Sequence, residues 1–385
     1  VAHGLFKYDV IISEEDICNY EEEASKLLDY VARGRYVKLF GRRNFGKTSL
    51  VKNLVASRWQ DEDPARRVVV YCDLYHVMEM DDLNREITIA LSDALSRKKS
   101  FIEHSVDLLK KLGDIQFSWE PPSSGDGGFG KLSLSPVGRP KAPLLFPEAI
   151  KAMDKIQKNG EYSFLLILDE FQEVAKIDKA DALIRGALQS LEGNMAIIIT
   201  GSKQHLLSQL FYHPKKPLYQ WGDTIELTEI AYEKYHAYIA ARLSQASKSI
   251  SLEVAKNIQD MCCRVPEAIN RLCDFLADGE GAGITTENAA AGMKDLVIAS
   301  RSIYGETLSR FSSGERKILR YIAGSGHIAG YTSVELTQQT GVPPSSSRRI
   351  IEGLIDLGIL YKDASDKIMI EDPFFKTYLK LFHPI

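Results

Sequence analysis

The sequence predicts an α/β fold, a parallel sheet followed by helices, and three runs of residues predict it. Residues Tyr36 to Phe40 (YVKLF) are β-prone and pass at once into Gly41-Arg42-Arg43-Asn44-Phe45-Gly46-Lys47-Thr48, after which Ser49 to Ser57 reads as helix. Tyr162 to Leu168 (YSFLLIL) is an apolar run of strand length that ends in Asp169-Glu170. Met195 to Thr200 (MAIIIT) is another, and it ends in Gly201-Ser202. Near-continuous apolar strands suit a parallel sheet covered on both faces, and in such sheets ligands gather at the carboxyl ends of the strands.

The first run matches G-x-x-x-x-G-K-[ST] in the strand-loop-helix context that the motif needs. Glycines at both ends let Gly41 to Thr48 curl until successive backbone N–H groups point inward, and the helix opening at Ser49 presents its positive dipole end to the same place. The loop is therefore built for phosphate. Lys47 supplies a point charge for the β and γ phosphates of ATP, and Thr48 a hydroxyl for Mg²⁺. No Asn-Lys-x-Asp tract of the GTPase type follows, which favours ATP over GTP. Asp169, at a strand's carboxyl end, is placed for the Mg²⁺ shell, and Glu170 to polarise the water that attacks the γ phosphate. Ser202, ahead of Thr200, is the candidate γ-phosphate sensor. A Gly-Ser turn capping a helix from Lys203 to Leu210 is the plainer role for the same residues.

The composition bounds the rest. The chain has 385 residues, 44% of them hydrophobic and 26% charged, which fits two or three globular units. A formal charge of -4 and a pI of about 6.1 give no global basic field for nucleic acid. No run of about 18 apolar residues is present, and Val1 to Asp9 lack the pattern of a secretory leader, so the expectation is a cytoplasmic chain outside the membrane. Five cysteines without zinc spacings read as reduced structural thiols.

The expected organisation is a nucleotide-binding core over residues 1–229, a helical lid over 230–305 and a winged-helix domain over 306–385. A loop-rich insert, residues 113–147, reads either as a hairpin on a flexible base or as a disordered lid. It is preceded by helical stretches at Asp81 to Ser96 and Phe101 to Leu112. After a strand at Thr224 to Leu227 come helices at Ala231 to Ser247, Ser251 to Cys262, Pro266 to Ala277 and Thr286 to about Ser309. The tract Arg264 to Arg271 offers two guanidiniums, one of them a candidate to reach the nucleotide. From Gly314, three helices and the strands Ile359 to Lys362 and Lys367 to Ile370 have the layout of a winged helix. Its third helix begins Pro344-Ser345-Ser346-Ser347-Arg348-Arg349, where hydroxyls and two arginines could contact DNA phosphates and a base edge. Nearby acids offset most of the basic residues, so a protein partner suits the same surface equally.

With these residues in place, the chain resembles the archaeal-type ATPases of the STAND branch within the AAA+ class. The resemblance rests on the loop Gly41 to Leu50, the Leu168-Asp169-Glu170-Phe171-Gln172 tract, the Thr200-Gly201-Ser202 turn, the Pro217-Leu218-Tyr219 tract, the helical lid and the winged helix. The Arg264 to Cys273 tract also looks like the lid helix of AAA+ transposition helpers and origin-binding initiators, in which an arginine at the position of Arg271 acts as sensor. The resemblance implies a Mg²⁺-dependent ATPase that switches with nucleotide state and works as a homo-oligomer or with a partner. A DNA-binding regulator licensed by ATP, or a recruiting subunit in defence against mobile elements, is the alternative. Two departures stand out. Gln220-Trp221 follows Pro-Leu-Tyr where the family has an arginine, and Tyr20-Glu21 stands where the family has an Arg-Glu pair.

Overall fold

The computed structural model describes residues 4–98, 115–120, 131–139, 142–202, 204–363 and 365–384. It divides into two compact units, one made of Ser13–Arg42 and Gly46–Thr228, the other of Val1–Ile12, Arg43–Phe45 and Glu229–Ile385.

In the first unit, α1 (Glu21–Ala32) leads into β1 (Tyr36–Gly41). The helix after the phosphate loop, α2, starts at Lys47–Ser49, passes through a π-helical stretch Leu50–Ala56 and ends at Ser57–Asp61. Then come β2 (Arg67–Asp73), α3 (Met80–Ser96), the strands β3 (Ile115–Glu120) and β4 (Lys131–Pro136), α4 (Phe146–Lys158) and β5 (Ser163–Asp169). A 3₁₀ helix Phe171–Lys176, α5 (Ala180–Gln189), β6 (Ala196–Gly201), α6 (Gln204–Phe211) and β7 (Asp223–Leu227) complete it. Five of these strands form one sheet in the order β2-β5-β6-β1-β7, with every neighbouring pair parallel.

The apolar runs sit where their composition requires. All six residues from Phe164 to Asp169 are buried, and β6 is buried throughout. The register pairs Phe40 with Gly201 and Asp73 with Asp169, so β1, β2, β5 and β6 end at one edge. Among the described residues of the insert, β3 and β4 pair antiparallel, as the arms of a hairpin do. Ile115, Leu132 and Leu134 are buried in the main core cluster, so the hairpin is part of the packed unit. Residues Phe101 to Leu112 and Lys203, both predicted helical, lie outside the described residues. Lys38, on β1 and 2% exposed, donates to the carbonyls of Trp221 and Gly222 (2.7 Å to the latter), which anchors the segment after Pro217-Leu218-Tyr219.

The second unit is helical. It contains α7 (Tyr232–Gln245), β8 (Ser249–Ile250), α8 (Leu252–Met261), α9 (Pro266–Ala277), β9 (Gly283–Ile284), α10 (Thr286–Ala299) and α11 (Arg301–Ser309). The single helix predicted from Thr286 to about Ser309 is two, because Ser300 leaves helical geometry (φ −96°, ψ 9°). Next come α12 (Ser313–Ser325), β10 (Ile328–Ala329), α13 (Val334–Thr340), α14 (Pro344–Asp356), β11 (Leu360–Lys362), β12 (Lys367–Ile370) and α15 (Pro373–Phe382). The short β10 makes the small sheet three-stranded and antiparallel, β10-β12-β11. Ser312 caps α12 in a box with Glu315, and Asp372 caps α15 through the N–H groups of Phe374 and Phe375. The N-terminal segment belongs here too: Phe6 N–H donates to Asp274 at 3.0 Å, and Asn270 donates to the Lys7 carbonyl at 2.9 Å. None of the five cysteines forms a disulfide, and no described helix is long and apolar enough to cross a membrane.

Candidate nucleotide site

The phosphate loop takes the backbone that its glycines allow. Asn44 (φ 62°) and Gly46 (φ 80°) are both left-handed, and a Cβ at Gly46 would meet nothing within 4 Å. The dihedral angle, not crowding, therefore makes Gly46 a glycine. Gly46 O accepts from Leu50 N–H at 2.9 Å, the bond that starts α2. Within the loop Phe45, Lys47 and Ser49 are buried, while Arg43 and Asn44 are exposed. Lys47 donates to the carbonyls of Gly41 (2.9 Å) and Arg42 (2.7 Å).

Asp169, 2% exposed, is the hub of the sheet edge. Its Oδ2 accepts from Thr48 Oγ1 and from the Tyr71 hydroxyl, each at 2.7 Å. Its Oδ1 accepts from Thr200 Oγ1 and, at 2.9 Å, from Glu170 N–H. Thr200 thus serves the aspartate, which leaves Ser202 as the hydroxyl nearer Glu170. Four donors around one carboxylate fix its orientation. Burial and the neighbouring Asp169 together push the Tyr71 phenol up, so it remains a donor.

Glu170 adopts a left-handed backbone (φ 53°, ψ 40°), uncommon for a residue other than glycine. Such strain persists where surrounding contacts hold it. Here Glu170 Oε2 accepts from Gln172 Nε2 and from Ser202 Oγ (3.3 Å), and Gln172 Oε1 accepts from Ser202 N–H at 3.2 Å. Gln172, 1% exposed, therefore ties Glu170 to Ser202. A Cβ at Gly201 would meet Gln172 Oε1 at 2.7 Å and Leu207 Cδ1 at 2.8 Å, so this turn needs glycine to admit the amide.

Thr48 and Asp169 are hard oxygen donors in contact, the chemistry that suits Mg²⁺. Among the described residues no group of three or more His, Cys, Asp or Glu side chains is set to hold a metal.

No protein-family model matches the chain, and no curated protein matches it in sequence. Solved structures do match in shape. The Walker-type ATPase PABY2304 of Pyrococcus abyssi is 19% identical with a TM-score of 0.64, over 98% of this chain and 100% of that one. The ORC2 protein of Aeropyrum pernix, in its ADPNP–ADP complexes, is 16% identical with a TM-score of 0.55, over 98% of both chains. This chain has the fold of an AAA+ P-loop NTPase. The ORC1 protein of Aeropyrum pernix in complex with DNA is a further match, 13% identical with a TM-score of 0.50, over 97% of this chain and 94% of that one.

The sheet-edge residues meet one another, and the arginines of the helical unit have internal partners. Arg264 lies 3.6 Å from the centroid of the Tyr232 ring, donates to the Ile230 carbonyl and pairs with Glu229 at 3.6 Å. Arg271 lies over Phe374 (4.9 Å) and donates to Ser300 Oγ at 3.4 Å. On α14, Ser347 is buried and donates to the Val342 carbonyl at 3.3 Å. Its hydroxyl is thus withdrawn from the phosphate contact expected of it. Arg348 and Arg349 are exposed, and Arg348 Nε donates to Glu352 at 3.0 Å. Tyr20, at the position of the second departure, is buried in a left-handed backbone (φ 74°) as the N-cap of α1.

Proposed function

We propose that this chain binds ATP with Mg²⁺ at the carboxyl edge of its sheet, hydrolyses it, and uses the nucleotide state as a switch. The observation that carries this reading is the 2.7 Å hydrogen bond from Thr48 Oγ1 to Asp169 Oδ2, because it joins two motifs 121 residues apart in the chain. Gly41, Arg42, Arg43, Asn44, Phe45, Gly46, Lys47, Thr48 and Ser49 form the cradle, and Lys47 exchanges its two loop carbonyls for β and γ phosphate oxygens. Thr48 and Asp169 hold Mg²⁺, which when bound neutralises charge on those oxygens. Glu170 orients the attacking water and takes its proton.

Ser202 is the γ-phosphate sensor in this reading. If its hydroxyl turns to phosphate, the contact with Glu170 is lost, while the Gln172 bridge, which runs to the Ser202 N–H, can stay. That unequal contact is what a ligand needs in order to shift a conformational equilibrium. Arg271 is the second sensor, and to reach a phosphate it would have to leave Phe374 and Ser300. The adenine nucleotides of the Aeropyrum pernix ORC2 complexes favour the same ligand class here. The test is equilibrium binding of ATP with Mg²⁺ to wild type and Lys47→Ala. Binding by wild type that weakens at least about 100-fold in the variant supports the reading, and equal binding by both would overturn it.

A second reading keeps the ATP site and adds DNA. The exposed Arg348 and Arg349 on α14, and the DNA-bound state of the ORC1 match, favour reading residues 306–385 as a winged helix on duplex DNA. Affinity should then fall with salt and with Arg348→Ala or Arg349→Ala. No binding at low salt with ATP present would remove this reading and leave a protein partner or a second copy as the target.

A further inference from the structure

Asp169 is held by a residue that neither motif contains. Tyr71 lies on β2, the strand paired in parallel with β5, and the register sets Tyr71 beside Ile167 and Asp73 beside Asp169. Along one face of a strand, positions two apart are separated by about 6.6 Å, roughly the reach of a tyrosine side chain. Tyr71 therefore spans one pleat along the sheet, and its hydroxyl ends 2.7 Å from Asp169 Oδ2. The ammonium of Lys52, on α2, lies 4.5 Å from the ring centroid on the way. This contact steadies the ring.

We infer that Tyr71 is a positioning residue for the Mg²⁺ site, fixing Asp169 so that Oδ2 faces Thr48. The inference rests on the ATPase reading above. Without Tyr71, the Oδ2 side of Asp169 is held by Thr48 alone, the group that must turn to the metal. Thr200 and Glu170 N–H hold only Oδ1. A carboxylate tethered through one oxygen can rotate the other away, so the hydroxyl on β2 keeps the Oδ2 direction when Thr48 changes partner. Groups that orient metal-binding carboxylates commonly change metal affinity by 10 to 100-fold when removed.

The test titrates Mg²⁺ against binding of the β,γ-imido analogue of ATP, in wild type, Tyr71→Phe, Asp169→Asn and the double variant. Tyr71→Phe keeps the ring beside Lys52, and its melting temperature is measured alongside. The expected result is analogue affinity in EDTA within twofold of wild type, with the Mg²⁺ half-saturation point raised about tenfold. In the double variant the half-saturation point should rise no further than in Asp169→Asn, because the two groups act through one contact. A half-saturation point within twofold of wild type, or lowered, in Tyr71→Phe would overturn the inference, as would independent, multiplying effects in the double variant. Failure of wild type to bind the analogue at all would instead remove the ATPase reading.

Discussion

Asp169 and Arg264 are both largely withdrawn from water, the aspartate 2% exposed and the arginine side chain 13%, yet they are held in opposite ways. Asp169 takes its donors from the helix after β1, from β2, from β6 and from the next residue in the chain. Arg264 spends its guanidinium on Glu229, Ile230 and Tyr232, the segment that opens the helical unit. Parallel strands bring distant parts of a chain to one edge, where exchangeable hydroxyls surround a carboxylate. Packed helices instead absorb an arginine into their connections, where its partners are a carboxylate, a carbonyl and a ring.

If that contrast is right, removing a hydroxyl at the sheet edge changes chemistry without stability, and removing Arg264 does the reverse. Ser202→Ala should lower ATP turnover by about 10 to 100-fold, the cost of one hydrogen bond to a charged group, with little change in melting temperature. Steady-state turnover beside thermal unfolding reads both. Arg264→Ala should cost about 1 to 3 kcal/mol of stability, since it leaves a carbonyl unpaired and strips a cation from the Tyr232 face. Denaturant unfolding measures this, and a loss of nucleotide affinity with stability intact would mean that Arg264 belongs to the nucleotide.

A smaller effect is expected in pH. Burial, then the hydrogen bond with Asp9, pushes the Glu267 carboxyl up to about 7 from its ordinary 4.5. The folded state therefore binds this proton more tightly than the unfolded chain. Its contribution to stability is full below about pH 4.5 and is lost as pH rises through about 7. Asp372, Asp9 and Arg271 share this neighbourhood, as the charges acting on Glu267 and Asp372 indicate. Glu267→Gln should flatten the fall in unfolding midpoint between pH 5 and about 7, and an unchanged slope would place that proton elsewhere. The smallest effect belongs to Arg348→Ala. Its exposed pair with Glu352 at 3.0 Å should change stability by less than about 0.5 kcal/mol, so any larger change would assign Arg348 to the fold.

The same contrast sets what the sequence made legible. Gly41 to Thr48, Asp169 and the edge position of Ser202 could be read because each lies where a strand stops, and a strand's end fixes its place in a parallel sheet. Tyr71 could not. It sits inside β2 among residues of ordinary strand character, and only the pairing of Asp73 with Asp169 brings its hydroxyl to the site. Gln172 was visible as part of the Leu168 to Gln172 tract, but its bridge to Ser202 depends on the close approach at Gly201. Arg271 was legible as a cation on a helix started by Pro266. The helix that faces it, α15, begins at Pro373, far along the chain, and with it the ring of Phe374 that Arg271 covers. The insert was ambiguous because Gly and Pro crowd its edges, and the apolar alternation at Leu132 and Leu134 gains meaning only from the core they enter.

The most direct test of the account is ATP turnover by wild type and Glu170→Gln, measured beside the amount of ATP each retains. Wild type should hydrolyse ATP, and the variant should bind ATP and turn it over at least about 100-fold more slowly. Equal turnover by both, or ATP bound by neither, would contradict it.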